Sequence, residues 1–137
     1  MSTGYQFTSR SELDTAVDLW ISNESSATNT YGDINTWDVS DIADFSSLFR
    51  DKTTFNSDIG NWDVSSGTDF EYMFSEASAF NQDIGDWDVS SGTNFHAMFL
   101  CYGNSVFNQD IGDWDVNKGT SFDSMFEGAT EFNQDIG

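Results

Sequence analysis

The sequence has 137 residues, which is enough chain for a single hydrophobic core and excludes a multidomain enzyme. It carries 24 Asp and Glu against 4 Lys and Arg, and the formal net charge of -20 excludes a nucleic-acid backbone as a partner and argues against adsorption to anionic lipid. Aromatic residues make up 16% of the chain, so it is too apolar for an acidic disordered tail and should fold. No apolar run reaches the roughly 18 residues of a membrane span.

The amino-terminal segment predicts a helix over residues 8–21. Apolar residues from Leu13 to Ile21 recur at helical spacing, and Thr8 and Ser9 offer N-caps ahead of them. The polar segment 22–29 is then expected to be a connecting loop. Because the first unit of a repeat array needs one polar face, we interpret residues 1–29 as a terminal capping helix with its loop.

The remainder of the chain is a tandem repeat. A Trp-Asp-Val triplet recurs at intervals of 25, 25 and 27 residues, beginning at Trp37, Trp62, Trp87 and Trp114. The units span residues 30–54, 55–79, 80–106 and 107–131, followed by a partial unit, 132–137. A fixed period of this length is typical of a solenoid, in which each unit packs on its neighbours.

Each unit combines two hydrophobic periods. The triplet places Trp and Val on one face and Asp on the other, which predicts a very short strand. Apolar residues then follow at i, i+3, i+4 and i+7, as at Phe70, Met73, Phe74 and Ala77, which predicts a short helix. Strand, turn and helix in this order predict a right-handed α/β repeat solenoid.

The unit also resembles a known surface-protein repeat. Phe80 to Ser90 reads Phe-Asn-Gln-Asp-Ile-Gly-Asp-Trp-Asp-Val-Ser and leads to Met98-Phe99, which is similar to the repeat of BspA-like proteins and mycoplasma-type lipoproteins. The resemblance covers nearly all of residues 31–137. It implies a leucine-rich-repeat-like architecture, a cell-surface or secreted location, a role in adhesion and no catalysis. Where that family's helices often open with Val-Thr-Asn-Met, this chain has Gly67-Thr68-Asp69-Phe70.

Two sets of recurring residues are interpreted as structural. The aromatic set should form the core, because the repeats contain few Leu or Ile residues from which to build one, and burial is favoured over an exposed sugar platform. Its members are Trp37, Trp62, Trp87, Trp114, Phe74, Phe99 and Phe126. A second set should form a ladder at a tight turn, with side-chain amides satisfying backbone groups of the adjacent unit; it comprises Asn56, Asn81, Asn108 and Asn133.

Recurring Asp residues leave three explanations open. Carboxylates stacked about 4.8 Å apart repel by roughly 3 kcal/mol at an effective dielectric of about 20. Asx turns, high external salt or bound calcium could offset this repulsion, and turn capping is favoured for most of them. The candidate calcium ligands are Asp86, Asp88, Asp113 and Asp115. Both runs lack the Gly and Glu that an EF-hand requires, so any calcium would bind between units, and no other cofactor is expected.

The unit 80–106 is two residues longer than its neighbours, and the excess falls between Phe99 and Phe107. Because insertions in repeats map to loops, Cys101 and Tyr102 should lie at or near the surface. The candidate ligand-binding residues are Leu100, Tyr102 and Asn104. The only histidine, His96, is assigned to a solvated helix face, and Cys101 to a thiol without a catalytic partner.

These observations predict a non-catalytic, extracellular or cell-surface module that adheres to a protein or a glycan through one exposed face. The alternative is a structural spacer within a longer surface stalk, calcium-stabilised if calcium binds. An enzyme such as a glycosidase ranks below both, because a carboxylate repeated in every unit favours architecture over one active site. An open last layer carrying Phe132 and Ile136 suggests a homodimer through the carboxyl-terminal end.

Overall fold

A computed structural model describes residues 4–136; residues 1–3 and 137, which belong to the first and last predicted segments, lie outside it. Two helices form, α1 over Arg10–Ser22 and α2 over Glu24–Tyr31, followed by a short 3-10 turn, Ile34–Thr36. From residue 37 to 136 the described chain consists of turns and extended segments. In residues 4–136, β-type pairing is limited to isolated parallel bridges: Gln6 with Asp38, Asp44 with Asp69, Asp69 with Asn94, and Asn94 with Ser121.

Helix α1 lies against the first unit of the repeat. The Ser9 side chain accepts a hydrogen bond from the Glu12 N–H and caps the helix, which therefore begins two residues after the predicted start. Its buried face ends in Trp20, whose ring meets Trp37 edge to face at 6.0 Å between centroids. The helix thus covers the aromatic interior at its amino-terminal end.

Helix α2 corrects the prediction of a loop over residues 22–29. The Asn23 side chain accepts from the Ser26 N–H and so starts a new helix immediately after α1 ends. The segment is rich in Ser, Thr and Asn, which are poor interior helix formers, and only Ala27 is buried within it. The Asn23 cap therefore favours a helix in a segment whose composition alone favours a loop.

The prediction of an α/β leucine-rich-repeat-like solenoid is wrong. Over residues 37–136 no helix is present, and the Trp-Asp-Val triplets form no strand. Only the inward and outward pattern of the triplet survives, since Trp62 and Val64 are buried and Asp63 is exposed.

A chain of overlapping turns occupies the position of each predicted helix. We call this segment the turn ribbon; it covers residues 45–52, 70–77, 95–101 and 122–129. Within it, the N–H groups of Met73, Ser75 and Ala77 donate to carbonyls three residues earlier. The alternate N–H groups, of Phe70, Tyr72 and Phe74, donate to carbonyls of the next unit at 2.9 to 3.0 Å. Turns at i and i+3 bury the same i, i+3, i+4 face as a helix, so the hydrophobic spacing does not distinguish the two.

The turn ribbon requires left-handed backbone at residues that are not glycine. Tyr72 has φ 57° and Glu76 has φ 60°, and equivalent values recur at Ser47, Asp51, Ala97 and Ser124. Such conformations cost roughly 1–2 kcal/mol per residue. The hydrogen bonds to the next unit offset this cost, and an eight-residue helix would itself be marginal.

Stacked phenyl rings form the interior of the repeats. Twelve of the 13 Phe residues lie in three columns, and neighbours within a column are nearly parallel at 5.3 to 6.0 Å between centroids. The columns are Phe45, Phe70, Phe95, Phe122; Phe49, Phe74, Phe99, Phe126; and Phe55, Phe80, Phe107, Phe132. Parallel rings at this spacing are offset-stacked, which is the favourable arrangement for aromatic pairs.

The tryptophans lie beside these columns and connect the units. Trp37, Trp62 and Trp87 are buried, whereas Trp114 and Phe126 in the last layer are half-buried. The indole N–H groups of Trp62, Trp87 and Trp114 donate to a carbonyl of the preceding unit, as from Trp87 to Ile59 at 3.0 Å, and Trp37 donates to Gly32 within its own unit. A buried donor is thereby satisfied in every layer.

The asparagine column forms the second connection between units. Asn56 Oδ1 accepts from the Asn81 N–H at 2.8 Å, and the same bond recurs at 2.9 Å from Asn108 to Asn81 and from Asn133 to Asn108. The neighbouring Gln82 amide adds a bond to the Asn56 carbonyl. The ladder therefore fixes the register of one unit on the next.

Candidate functional site

The longer unit places its extra residues in a loop at the surface. Phe99 and Phe107 stack on each other at 4.3 Å, so the chain between them must bulge outward. Tyr102 is 77% exposed, Val106 is 44% exposed and Asn104 is also exposed. Leu100, predicted to bind ligand, is buried and contributes to the core instead.

Two carboxylates hold the exposed tyrosine. The Tyr102 N–H donates to Glu76 Oε1 at 3.0 Å, and its hydroxyl donates to Glu127 Oε2 at 3.0 Å. The bond to Glu127 raises the pKa of the phenol above its usual value. We call Glu76, Tyr102 and Glu127 the insertion surface: an exposed aromatic ring bordered by two carboxylates.

Cys101 does not lie at the surface as predicted. Its side chain is buried, with Sγ 3.8 Å from Glu76 Oε2. Burial raises the pKa of the thiol, so the reactive thiolate is disfavoured. Only the residues after Cys101 follow the loop outward.

His96 is not a solvated residue on a helix, contrary to the prediction. Its Nδ1 lies 2.8 Å from Asp123 Oδ2 and 2.9 Å from the Asp123 carbonyl, and its Nε2 lies 3.2 Å from the Tyr72 hydroxyl. Because both neighbours of Nδ1 are acceptors, Nδ1 carries a proton. The Arg50 guanidinium lies 4.2 Å above the Tyr72 ring, so four successive units contribute to one polar chain.

Sequence reasoning missed this polar chain, although a signal existed. Glu71, His96 and Asp123 are equivalent positions of successive units once the two-residue excess is allowed for. A histidine and a carboxylate at equivalent positions are brought together by stacking, whereas their separation of 27 residues along the chain hides the pair.

A family model described as "Mycoplasma protein of unknown function, DUF285" matches residues 15–137. The chain belongs to the DUF285 family. The match covers most of the chain and confirms the mycoplasma-type resemblance of its repeats. Comparisons with curated proteins and with solved structures found no match. Among the helices of residues 4–136, none combines the length and the apolar character that crossing a bilayer requires.

The recurring aspartates of this DUF285 chain form Asx turns. Asp58, Asp83 and Asp110 each accept from the N–H of the glycine two residues later at 2.8 to 2.9 Å. The other column behaves alike, with Asp88 accepting from the Ser90 N–H at 3.0 Å and from its hydroxyl. These local bonds satisfy one oxygen of each carboxylate and hold the side chain against its own turn.

The candidate calcium ligands do not converge in the DUF285 structure. Asp86, Asp88, Asp113 and Asp115 are all exposed. Across residues 4–136, no group of three or more Asp, Glu, His or Cys side chains could hold a metal ion. Calcium prefers six to eight oxygen ligands, so the calcium hypothesis gains no support from this arrangement.

Because residues 4–136 contain no group of side chains that could hold calcium, we expect calcium to have no specific effect on the melting temperature. A ligand raises the melting temperature only if it binds the folded state. Millimolar calcium should therefore leave the melting temperature within about 1 °C of the value in chelator. The chelator sample contains magnesium so that the ionic strengths match. Differential scanning calorimetry measures this. A calcium-specific rise of several degrees would restore calcium as a structural ligand.

The Asx turn at Asp88 makes a second prediction. The Ser90 hydroxyl and N–H hold the pKa of Asp88 below its ordinary value, so this bond stabilises the fold at neutral pH and the contribution is lost as pH falls through the lowered pKa. Ser90→Ala removes the hydroxyl donor and should raise the pKa of Asp88, followed by carboxyl-detected NMR titration. Ser65→Ala, at the equivalent position one unit earlier, should leave the pKa of Asp88 unchanged. A Ser90→Ala titration identical to the wild type would contradict the assignment.

Proposed function

We propose that this DUF285 chain is a non-catalytic recognition module that binds a basic segment of another protein through the insertion surface. The observation that carries the proposal is the Tyr102 ring, which at 77% is the most exposed of the large hydrophobic side chains in residues 4–136. The ring belongs to the one unit that departs in length from its neighbours.

The chemistry of the insertion surface favours a cationic ligand. Glu76 and Glu127 lie on either side of Tyr102, so a Lys or Arg side chain could pack on the ring and pair with a carboxylate. The formal net charge of -20 would steer a basic partner toward the molecule and accelerate association at low salt. A glycan is the alternative ligand, since an exposed ring flanked by carboxylates also suits a sugar face and its hydroxyls.

We also propose that the module acts outside the cell or at its surface. The support is family membership together with the resemblance of the units to BspA-like surface repeats. A structural spacer remains the second candidate function, because the ring columns and the asparagine ladder repeat with little change from unit to unit.

The test is a peptide array of matched Lys- or Arg-containing and neutral sequences, printed beside a glycan array. The proposal predicts retention on basic peptides, weakening as NaCl is raised from 50 to about 500 mM because the attraction is screened. Tyr102→Ser should reduce binding at least tenfold, and Glu127→Gln should reduce it severalfold.

The matched control is Glu131→Gln, which removes the same charge from an exposed residue outside the insertion surface. It should bind as the wild type does. If the protein were retained on glycans and on no peptide, the ligand would be a glycan and the proposal of a basic peptide would be wrong. Binding that survives Tyr102→Ser, or no binding to either array, would contradict recognition through this surface.

A further inference from the structure

A small open hollow lies between the two helices and the unit 55–79, beside the first member of the asparagine column. Its volume is about 320 Å³, and it is bounded by Trp20 and Ile21 of α1, by Glu24 at the start of α2 and by residues 54–57. It lies inside the array, where α1 and α2 already occupy the side of the unit that faces the amino terminus. The hollow shares no residue with the insertion surface.

Ser57 leaves this hollow open because it stands where the later units carry a longer side chain. The equivalent residues of those units are all glutamine: Gln82, Gln109 and Gln134. Each glutamine reaches back over the preceding unit, as Gln82 Nε2 does to the Asn56 carbonyl at 3.0 Å. A serine side chain is too short for this reach, and Tyr31 replaces the asparagine at the equivalent position of the first unit. Neither partner of the ladder is therefore present here.

Two hydrogen-bond donors at the hollow have no acceptor within residues 4–136. In the three later members of the column, the asparagine N–H donates to the asparagine side chain of the preceding unit at 2.8 to 2.9 Å. The equivalent N–H of Asn56 has no such partner, and it points toward the helices because the units repeat in one orientation. The Ser57 hydroxyl accepts from the Trp20 indole N–H at 3.0 Å, which leaves its own proton to donate.

The stack itself shows which group a pair of donors at this position receives. In the next layer, the Asn81 N–H and Gln82 Nε2 converge on one carboxamide oxygen, Asn56 Oδ1, at 2.8 and 3.2 Å. At the hollow, the Asn56 N–H and the Ser57 hydroxyl stand in their places. The Glu24 carboxylate, on the helical side, can accept from the NH₂ of the same carboxamide. It would repel a carboxylate, as would the formal net charge of -20.

We propose that the hollow binds a primary carboxamide, carried either by a free amino acid or by an asparagine or glutamine side chain of a peptide. The amide oxygen accepts from the Asn56 N–H and the Ser57 hydroxyl, and the amide nitrogen donates to Glu24. The bound group takes the place of the asparagine side chain that each later layer receives from the layer before it. This is a second binding site, independent of the proposed function.

The experiment titrates ¹⁵N-labelled protein with L-glutamine, with N-acetyl-glutamine methylamide and with L-glutamate at equal ionic strength. Glutamine should shift the amide signal of Asn56 and the indole signal of Trp20, because the indole N–H shares the Ser57 hydroxyl with the ligand. Glutamate should bind about tenfold more weakly, since it cannot donate to Glu24. A response to L-glutamine alone would identify a free amino acid as the ligand, and a response to the methylamide would identify a side chain within a peptide.

Two variants test the assignment of the groups. Ser57→Gln should abolish the response, because the longer side chain occupies the hollow with a carboxamide of the chain itself. Glu24→Gln should weaken glutamine binding and reduce its advantage over glutamate by about threefold. Glu131→Gln removes the same charge from an exposed residue away from the hollow and should change neither value.

The absence of shifts with all three compounds at about 100 mM, or equal shifts with glutamine and glutamate, would overturn the proposal. Glutamine binding that is unchanged in both Ser57→Gln and Glu24→Gln would also contradict it. Because Ser57→Gln leaves Tyr102 and its two carboxylates intact, the variant should still be retained on basic peptides. Failure of this proposal and failure of the proposed function are therefore distinguishable.

Discussion

Replacing Phe74 by alanine should lower the free energy of unfolding by about 3–5 kcal/mol. The ring is 3% exposed and stacks on Phe49 at 5.4 Å and on Phe99 at 5.6 Å. It also contacts Phe80 at 4.3 Å and Trp87 at 6.0 Å, so its removal leaves a cavity within four rings. Urea denaturation followed by tryptophan fluorescence measures the loss.

The matched control for Phe74 is Phe122→Ala in the last layer. Phe122 makes one stacked ring contact, with Phe95 at 5.3 Å, and is 40% exposed. Its replacement should cost about 1–2 kcal/mol, since less apolar surface is lost and water can fill the gap. Equal losses for the two variants would mean that the columns do not carry the stability of the repeats.

Replacing Gly92 by alanine should destabilise the protein by about 1–3 kcal/mol through overpacking. A Cβ at this position would lie 2.5 Å from Cζ of Phe95 and 3.1 Å from Cε2 of Phe70. Both rings belong to a column, so neither can move without disturbing its neighbours. Thermal and urea unfolding both report the change.

Gly103→Ala provides the control, because no atom lies within 4 Å of a Cβ at Gly103. Both substitutions reduce the freedom of the unfolded chain alike, so their difference isolates the clash at Gly92. Gly103→Ala should be neutral or stabilising by up to about 1 kcal/mol. A Gly92→Ala protein as stable as the Gly103→Ala protein would show that the rings do not pack on the glycine.

The sequence predicted which side chains are buried better than it predicted the backbone that buries them. The aromatic and asparagine columns follow from the period of the repeat, because equivalent positions of stacked units must be neighbours. The hydrophobic spacing cannot distinguish a helix from a turn ribbon, since Phe70, Met73 and Phe74 face inward in both. The two differ in the acceptor of the Tyr72 N–H, which here donates to the backbone carbonyl of His96 in the next unit.

The candidate site was predicted in part for a related reason. An insertion identifies a loop, and Tyr102 and Asn104 are exposed in it. It does not identify the residue at which the chain leaves the core, so Leu100 and Cys101 were assigned to the surface although both are buried. The contact of His96 with Asp123 was missed for a different reason: the two residues are equivalent positions of successive units, but the two-residue excess between them obscures the alignment.

Scalar couplings across hydrogen bonds, measured by NMR, test the central claim most directly. The turn ribbon predicts couplings from the amide nitrogens of Phe70, Tyr72 and Phe74 to the carbonyl carbons of Asn94, His96 and Met98. A helix would instead couple the Phe74 nitrogen to the Phe70 carbonyl, four residues earlier. Couplings to the next unit would establish the stacked ribbons, and couplings within the segment at a separation of four would contradict them.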